Sequence, residues 1–223
     1  ELSAGVRYAR EIGLVPMVMT HGQKLLDDPE LLVRLVEEGG LRKIALHIDI
    51  TQAGRPGFPL KELQSEADLH PLREQFVDLI HSVRERTGVA FFAAHTMTVT
   101  SANLDDVGDV IRWLVADRRR LDAFRMLSLQ PEADVGRTRF SARPATPEAV
   151  WSEVAGAVDQ PKLAKDNLWF GHPDCSHMTT LLALYPERRI VELTTADAEA
   201  RRFWSRLLAV FGGVGFRGPD LRE

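Results

Sequence analysis

The sequence contains very little cysteine and no long apolar segment. Among its 223 residues only Cys175 is a cysteine, so the chain cannot form an internal disulfide bond. A single cysteine is typical of a protein in a reducing compartment, and we expect a cytoplasmic location. No apolar run approaches the roughly 18 to 20 residues that a membrane-spanning helix needs, so we expect no transmembrane segment.

The sequence also lacks an excess of basic residues. It has 28 lysines and arginines against 32 aspartates and glutamates, which gives a formal net charge of -4. Proteins that bind nucleic acid usually carry a basic patch, so we do not expect nucleic acid as a partner. With 44% hydrophobic residues, the composition is that of a globular protein with a substantial core.

Apolar runs alternate with amphipathic segments over the first 130 residues. The pattern predicts strands at residues 15–20, 43–50, 89–98 and 124–130. It predicts helices at residues 29–38, 72–87 and about 104–117, the first of them capped by Asp28. Strands and helices that alternate at this spacing indicate an α/β fold with a parallel sheet. A partial or complete barrel and a doubly wound sheet both fit the pattern.

The pattern changes after Pro131. Residues 133–148 are polar and rich in Arg, Gly and Pro, as in a loop or linker. Beyond them the sequence predicts a helix near 147–158, a strand near 188–194 and a helix at 196–211. We therefore expect a core over residues 1–140 and a small C-terminal α/β extension over residues 141–223.

Polar side chains follow the apolar part of each predicted strand. Ligand sites in parallel sheets lie at the carboxyl ends of the strands, so these residues predict a site there. Asp49 is the strongest single candidate, because an ionised carboxylate is seldom buried without a partner. The strand-end residues are Thr20 to Gly22, His47 and Asp49, His95 to Thr98, Ser128 to Pro131, and His172 to Cys175.

These residue types leave more than one function open. Imidazole and carboxylate groups on separate strands could hold a zinc ion with an open water position, as in a metal-dependent barrel hydrolase. The candidate zinc ligands are His47, Asp49, His95, His172 and Asp174. A non-catalytic scaffold or binding domain is a further alternative.

Three stretches, in this order, resemble the radical S-adenosylmethionine superfamily, in the branch of the molybdenum-cofactor biosynthesis cyclase. VPMVMTHGQKLLDDPELLVRLVEEGGLRKIALHID is similar to the family's third strand, the following helix and the fourth strand. TMTVTSANLDDVGDVIRWL resembles the fifth strand and its helix, and FRMLSLQPEADVGR resembles the sixth strand. His21 replaces the family's usual Asn, and the sequence HID replaces its SLD. The resemblance implies a partial TIM-type (β/α) barrel over residues 1–140.

The resemblance also implies a cofactor, S-adenosylmethionine, and residues that bind it. Asp49, with His47 beside it, matches a position that contacts the ribose or methionine of the cofactor, and Arg137 could reach an anionic group of cofactor or substrate. Cys175 is a candidate ligand of an auxiliary iron–sulfur cluster. The implied cofactor-binding residues are Thr20, Gly22, His47, Asp49, Thr96, Thr98, Gln130 and Arg137.

Two motifs of the family do not occur in this sequence. They are the CxxxCxxC loop that holds a [4Fe-4S] cluster and the Gly-Gly-Glu motif that binds the methionine moiety. We expect a fragment of a longer enzyme, inactive by itself; a degenerate relative that has lost the chemistry is the alternative. The resemblance implies an oxidoreductase that makes a 5'-deoxyadenosyl radical, acts on a small or lipid-like substrate, and takes electrons from a ferredoxin or flavodoxin.

Overall fold

The computed structural model describes residues 2–132, 145–163, 165, 177–192, 199, 202, 203 and 206. Its helices are α1 Leu2–Glu11, α2 Gln23–Asp27, α3 Pro29–Glu37, α4 His70–Thr87, α5 Val107–Val115, α6 Arg118–Ala123 and α7 Pro147–Ala157. Its strands are β1 Val18–Thr20, β2 Lys43–His47, β3 Phe92–Val99, β4 Phe124–Pro131, β5 Leu181–Leu184 and β6 Arg189–Glu192. Short 3-10 turns occupy Ile50–Gln52 and Glu66–Leu69.

Strands β1 to β4 form one parallel sheet in the order β1-β2-β3-β4. Each strand therefore pairs with the strand that follows it in the sequence, and helices connect them. This confirms the α/β class and the parallel sheet that the sequence predicts. Strands β5 and β6 form a separate antiparallel pair.

The helix ends follow local sequence signals. The Asp28 side chain accepts a hydrogen bond from the backbone N–H of Leu31, and Pro29 occupies the first turn of α3, where a missing N–H costs nothing. Helix α7 begins in the same way, with Thr146 as its cap. Gly88 ends α4 with a φ of 64°, a left-handed conformation that glycine adopts without strain.

The core lies between one face of the sheet and the helices. Side chains alternate along a strand, so Ile44, Leu46 and Ile48 point to one face, where they join the apolar cluster with Leu35 of α3 and Phe76 of α4. Each of these five side chains is at most 1% exposed. Removing a buried phenylalanine such as Phe76 typically costs about 3 to 5 kcal/mol, which indicates how strongly α4 is held on the sheet.

Several elements were absent from the sequence prediction. Helices α2 and α6 are short, at five and six residues, and the 3.6-residue apolar period is not visible over such lengths. Strand β5 was also missed.

Helix α7 contacts α5, and the Tyr185 hydroxyl donates to the carbonyl of Val115 at 2.8 Å, so described residues beyond 140 pack on the first part of the chain. Within the described residues, no helix has the length and apolar character that crossing a bilayer requires.

Candidate functional site

The parallel register places the polar ends of three strands side by side. His47 lies opposite Thr96, which lies opposite Ser128, and Thr98 lies opposite Gln130. Directly paired residues of a parallel sheet point to the same face, so these five side chains share the face away from the core. We call it the His47 face. His47 Nε2 lies 2.9 Å from Thr98 Oγ1, although the two residues are 51 positions apart.

Asp49 is buried just beyond the end of β2, in contact with His47 and Thr98. One carboxylate oxygen accepts hydrogen bonds from the backbone N–H and the hydroxyl of Thr51, at 2.8 and 2.5 Å. The other accepts from the backbone N–H of Thr98 at 2.9 Å and lies 2.7 Å from His47 Nε2. Burial by itself would raise the pKa of Asp49. The hydrogen bond and charge of His47, together with the hydrogen bonds from the Thr51 side chain and the Thr98 backbone, lower this pKa below its ordinary value. Asp49 is therefore an ionised carboxylate whose two oxygens are both occupied by protein groups.

These contacts determine how the His47 ring is oriented. A proton must lie on Nε2, because an unprotonated Nε2 would direct its lone pair at the carboxylate of Asp49. The other ring nitrogen, Nδ1, has no hydrogen-bond partner in the described part of the chain, and the side chain is 22% exposed. His47 is thus the accessible member of the pair and Asp49 is the buried one.

A second buried polar group supports the ends of β2 and β3 from the helix side. Arg73 of α4 and Glu66 are both 0% exposed, and Arg73 Nη2 donates to Glu66 Oε2 at 2.5 Å and to the Ile48 carbonyl at 3.1 Å. Glu66 Oε1 accepts from the backbone N–H of Ile50 at 3.0 Å and from Asn103 Nδ2 at 2.8 Å. Burial raises the pKa of Glu66, and the charge of Arg73 opposes that shift. The arrangement fixes the backbone on both sides of Asp49.

His95 belongs to this buried group and not to the His47 face. It is 1% exposed, its Nε2 lies 2.9 Å from the Ile48 carbonyl, and Arg73 Nε lies 3.3 Å away. Burial, followed by the charge of Arg73, lowers the pKa of His95 to about 3, so the ring is neutral. Nε2 faces both the Ile48 carbonyl, which needs a donor, and the N–H of Arg73, which needs an acceptor; the shorter contact, to Ile48, favours the proton on Nε2. Nδ1 is buried without a partner among the described residues.

The part of the chain that the structure describes contains no group of side chains that could hold the zinc ion of the alternative function. His47 and His95 lie on opposite faces of the sheet, and no three His, Cys, Asp or Glu side chains among the described residues are grouped to hold a metal ion. His172, Asp174 and Cys175 lie outside the described residues, as does Arg137.

Thr20 and Gly22 lie at the end of β1, where they shape the start of α2. Thr20 Oγ1 accepts from the backbone N–H of Gly22 at 3.0 Å. Gly22 has a φ of 82°, and a Cβ atom there would lie 2.5 Å from Cζ of Phe76. Between them, His21 Nδ1 accepts from the N–H of Gln23, and its ring meets Phe58 edge to face at 6.2 Å. Both predicted residues thus have a local structural role.

The sequence prediction missed Arg73, Glu66 and Asn103. Arg73 had a detectable signal, because it precedes Phe76, Val77 and Ile80 at helical spacing and so lies on the buried stripe of α4. A charge at such a position needs a buried partner. The sequence around Glu66 and Asn103 does not indicate that Glu66 pairs with Arg73 or that Asn103 donates to Glu66.

The chain matches no model of a known protein family, and none of the curated proteins matches it.

Proposed function

We propose that this chain is part of a radical S-adenosylmethionine enzyme, in which the His47 face forms part of the wall of the cofactor and substrate cavity. The observation that supports the proposal most is the convergence of His47, Thr98 and Gln130 on one face, at the carboxyl ends of three consecutive parallel strands. Ligands of parallel α/β proteins bind at that edge.

The finer part of the proposal is a partial barrel. A doubly wound sheet reverses its strand order at a switch point, whereas a barrel adds each strand next to the preceding one. The order β1-β2-β3-β4 of the described strands contains no such reversal, which supports a partial barrel. Met19 of β1 and Met126 of β4, on the His47 face, are 59% and 55% exposed, as expected if further parts of a longer enzyme cover this side.

The residues of this chain differ in how well they fit the two groups that such an enzyme uses. They do not fit the [4Fe-4S] cluster, because Cys175 is the only cysteine and three thiolate ligands are needed. Those ligands would have to come from a segment outside this sequence. S-adenosylmethionine has hydroxyl, amino and carboxylate groups, and the side chains of His47, Thr98 and Gln130 can bind such groups. Because both oxygens of Asp49 are occupied, we assign its effect to the orientation of His47.

In such an enzyme the cofactor and cluster supply a 5'-deoxyadenosyl radical that abstracts hydrogen from the substrate. The His47 face would position the bound molecules and exclude water from them. The substrate, small or lipid-like, and an electron donor such as ferredoxin or flavodoxin belong to the same proposal.

To test the proposal, the gene that encodes this sequence is sequenced and expressed together with its upstream region. An upstream CxxxCxxC motif is expected, and the anaerobically reconstituted protein should convert S-adenosylmethionine to 5'-deoxyadenosine. Thr98→Val, which removes the hydroxyl on the His47 face, should lower this yield. A matched exposed substitution, Thr146→Ser, keeps the α7 cap and should not. An intact reading frame without the motif, or a reconstituted protein that neither binds nor cleaves S-adenosylmethionine, would contradict the proposal.

A further inference from the structure

The pair formed by Asp49 and His47 combines an enclosed carboxylate with a partly exposed imidazole. Its carboxylate is 0% exposed and its imidazole is 22% exposed, and their oxygen and nitrogen lie 2.7 Å apart. A buried carboxylate that accepts the N–H of an imidazole fixes the tautomer and makes the other ring nitrogen more basic. We propose that His47 is a proton acceptor that presents Nδ1 to a hydroxyl or ammonium group bound on the His47 face, and that Asp49 is its positioning residue.

The hydrogen bonds around Asp49 argue for this division of roles. Thr51 occupies one carboxylate oxygen, and Thr98 N–H and His47 Nε2 occupy the other. A bound molecule could reach Asp49 directly only by displacing one of these groups. His47, in contrast, is accessible, and its Nδ1 has no hydrogen-bond partner in the part of the chain that the structure describes.

The charge of the pair determines the kind of group it accepts. With a neutral imidazole, the pair carries the single negative charge of Asp49, which favours a hydroxyl or ammonium donor over an anion. Thr98 Oγ1, 2.9 Å from Nε2, is a second acceptor within reach of the same proton. The backbone that holds Asp49 is itself fixed by Glu66, which accepts the N–H of Ile50.

The first measurement is the tautomer of His47 in the 223-residue chain. Long-range nitrogen–proton spectra of protein labelled with 15N-histidine distinguish the two tautomers, and the spectrum of His47→Gln assigns the resonance. The Gln side chain retains an N–H for Asp49 but has no basic nitrogen, so this variant should fold. We expect the proton on Nε2. A neutral ring with the proton on Nδ1 would overturn the proposal.

The second measurement is the rate at which diethylpyrocarbonate acylates each histidine, read by mass spectrometry. His95 is the matched control within the same molecule, because its Nδ1 is also unpartnered but is buried away from the reagent. We expect His47 to react and His95 not to react in the folded protein. Asp49→Asn should slow the reaction at His47, because the carboxylate that makes the ring more basic has been removed. Equal rates at His47 and His95, or an unchanged rate in Asp49→Asn, would contradict the proposal.

Asp49→Asn places an N–H against one of the donors that now face the carboxylate, so this variant could unfold. Thr98→Val provides a second test, because it leaves the contact between Asp49 and His47 intact and should preserve the reactivity of His47. Loss of that reactivity in folded Thr98→Val would show that the hydroxyl, and not Asp49, positions the ring.

S-adenosylhomocysteine, added in a third series to the protein expressed together with its upstream region, identifies the source of the bound group. If it binds and slows acylation at His47, the cofactor supplies the hydroxyl or ammonium; if it binds and leaves the rate unchanged, the acceptor faces the second molecule. If it does not bind, the function proposed above fails, while the tautomer and the reactivity of His47 still decide the role of the pair.

Discussion

The buried His95 should make the free energy of unfolding depend on pH. The ring is 1% exposed, donates to the Ile48 carbonyl and lies against Arg73. Its pKa is lowered to about 3 by burial and by the charge of Arg73. In the unfolded chain the same ring has an ordinary pKa of about 6.5. Substituting His95→Gln removes the titrating group while keeping an N–H that can donate to Ile48.

The sign follows from proton binding. Between pH 6.5 and pH 3 the unfolded chain binds one proton at this histidine that the folded protein does not bind, so acid favours unfolding. The free energy of unfolding should fall by up to about 1.4 kcal/mol for each pH unit. Between pH 6 and pH 4 the expected loss is about 2.5 kcal/mol. At pH 7 the effect is nearly absent, because the ring is mostly neutral in both states.

The assay is urea unfolding of the wild-type protein and His95→Gln at pH 7, 6, 5 and 4. The difference at pH 7 measures the change in packing alone and serves as the internal reference. As the pH is lowered from 7 to 4, the wild-type protein should lose about 3 kcal/mol more than the variant. His70, whose pKa is lowered to about 4 by burial and then by Arg73, titrates in both proteins, and its contribution therefore cancels. Two stability curves that stay parallel from pH 7 to pH 4 would refute the assignment of a neutral, buried His95.

Two further predictions concern the free energy of unfolding at neutral pH. Arg73→Met leaves the buried Glu66 without its cation and should cost about 3 to 5 kcal/mol. The double variant Arg73→Met/Glu66→Gln should lose about 1 to 3 kcal/mol less than the sum of the losses in the two single variants. Strict additivity in denaturant titrations would argue against direct coupling. Asp28→Ala removes the cap of α3 and should cost about 1 kcal/mol. Asp28→Asn keeps an acceptor for Leu31, so an equal loss in both variants would show that charge, not capping, is responsible.

Much of the fold could be predicted because its signals are local. The Asp28 cap, the apolar stripe of α4 and the strand runs each lie within a few consecutive residues, and periodicity detects them. The structure confirms α3, α4 and α5 and the four parallel strands at nearly the predicted positions. Short helices such as α2 and α6 were not predicted, because an apolar period of 3.6 residues cannot be recognised over fewer than two turns.

The candidate site was predictable only in part. The sequence placed His47 and Asp49 together at a strand end, because they are only two positions apart at the end of an apolar run. Their contacts with Thr98 depend on the register between β2 and β3. His95, which the sequence grouped with His47 as a candidate ligand, lies on the opposite face, because one position along a strand reverses the direction of the side chain.

By itself, the sequence determined the composition class, the α/β pattern, most helix ends and the polar character of the strand ends, because these depend on neighbouring residues. Only the tertiary structure decided that Asp49 is enclosed, that His47 is its accessible partner, and that Arg73 and Glu66 form a buried ion pair. Which polar groups meet in the interior depends on strand register and helix packing. Those arise from contacts between residues far apart in the chain, and a single sequence does not display them.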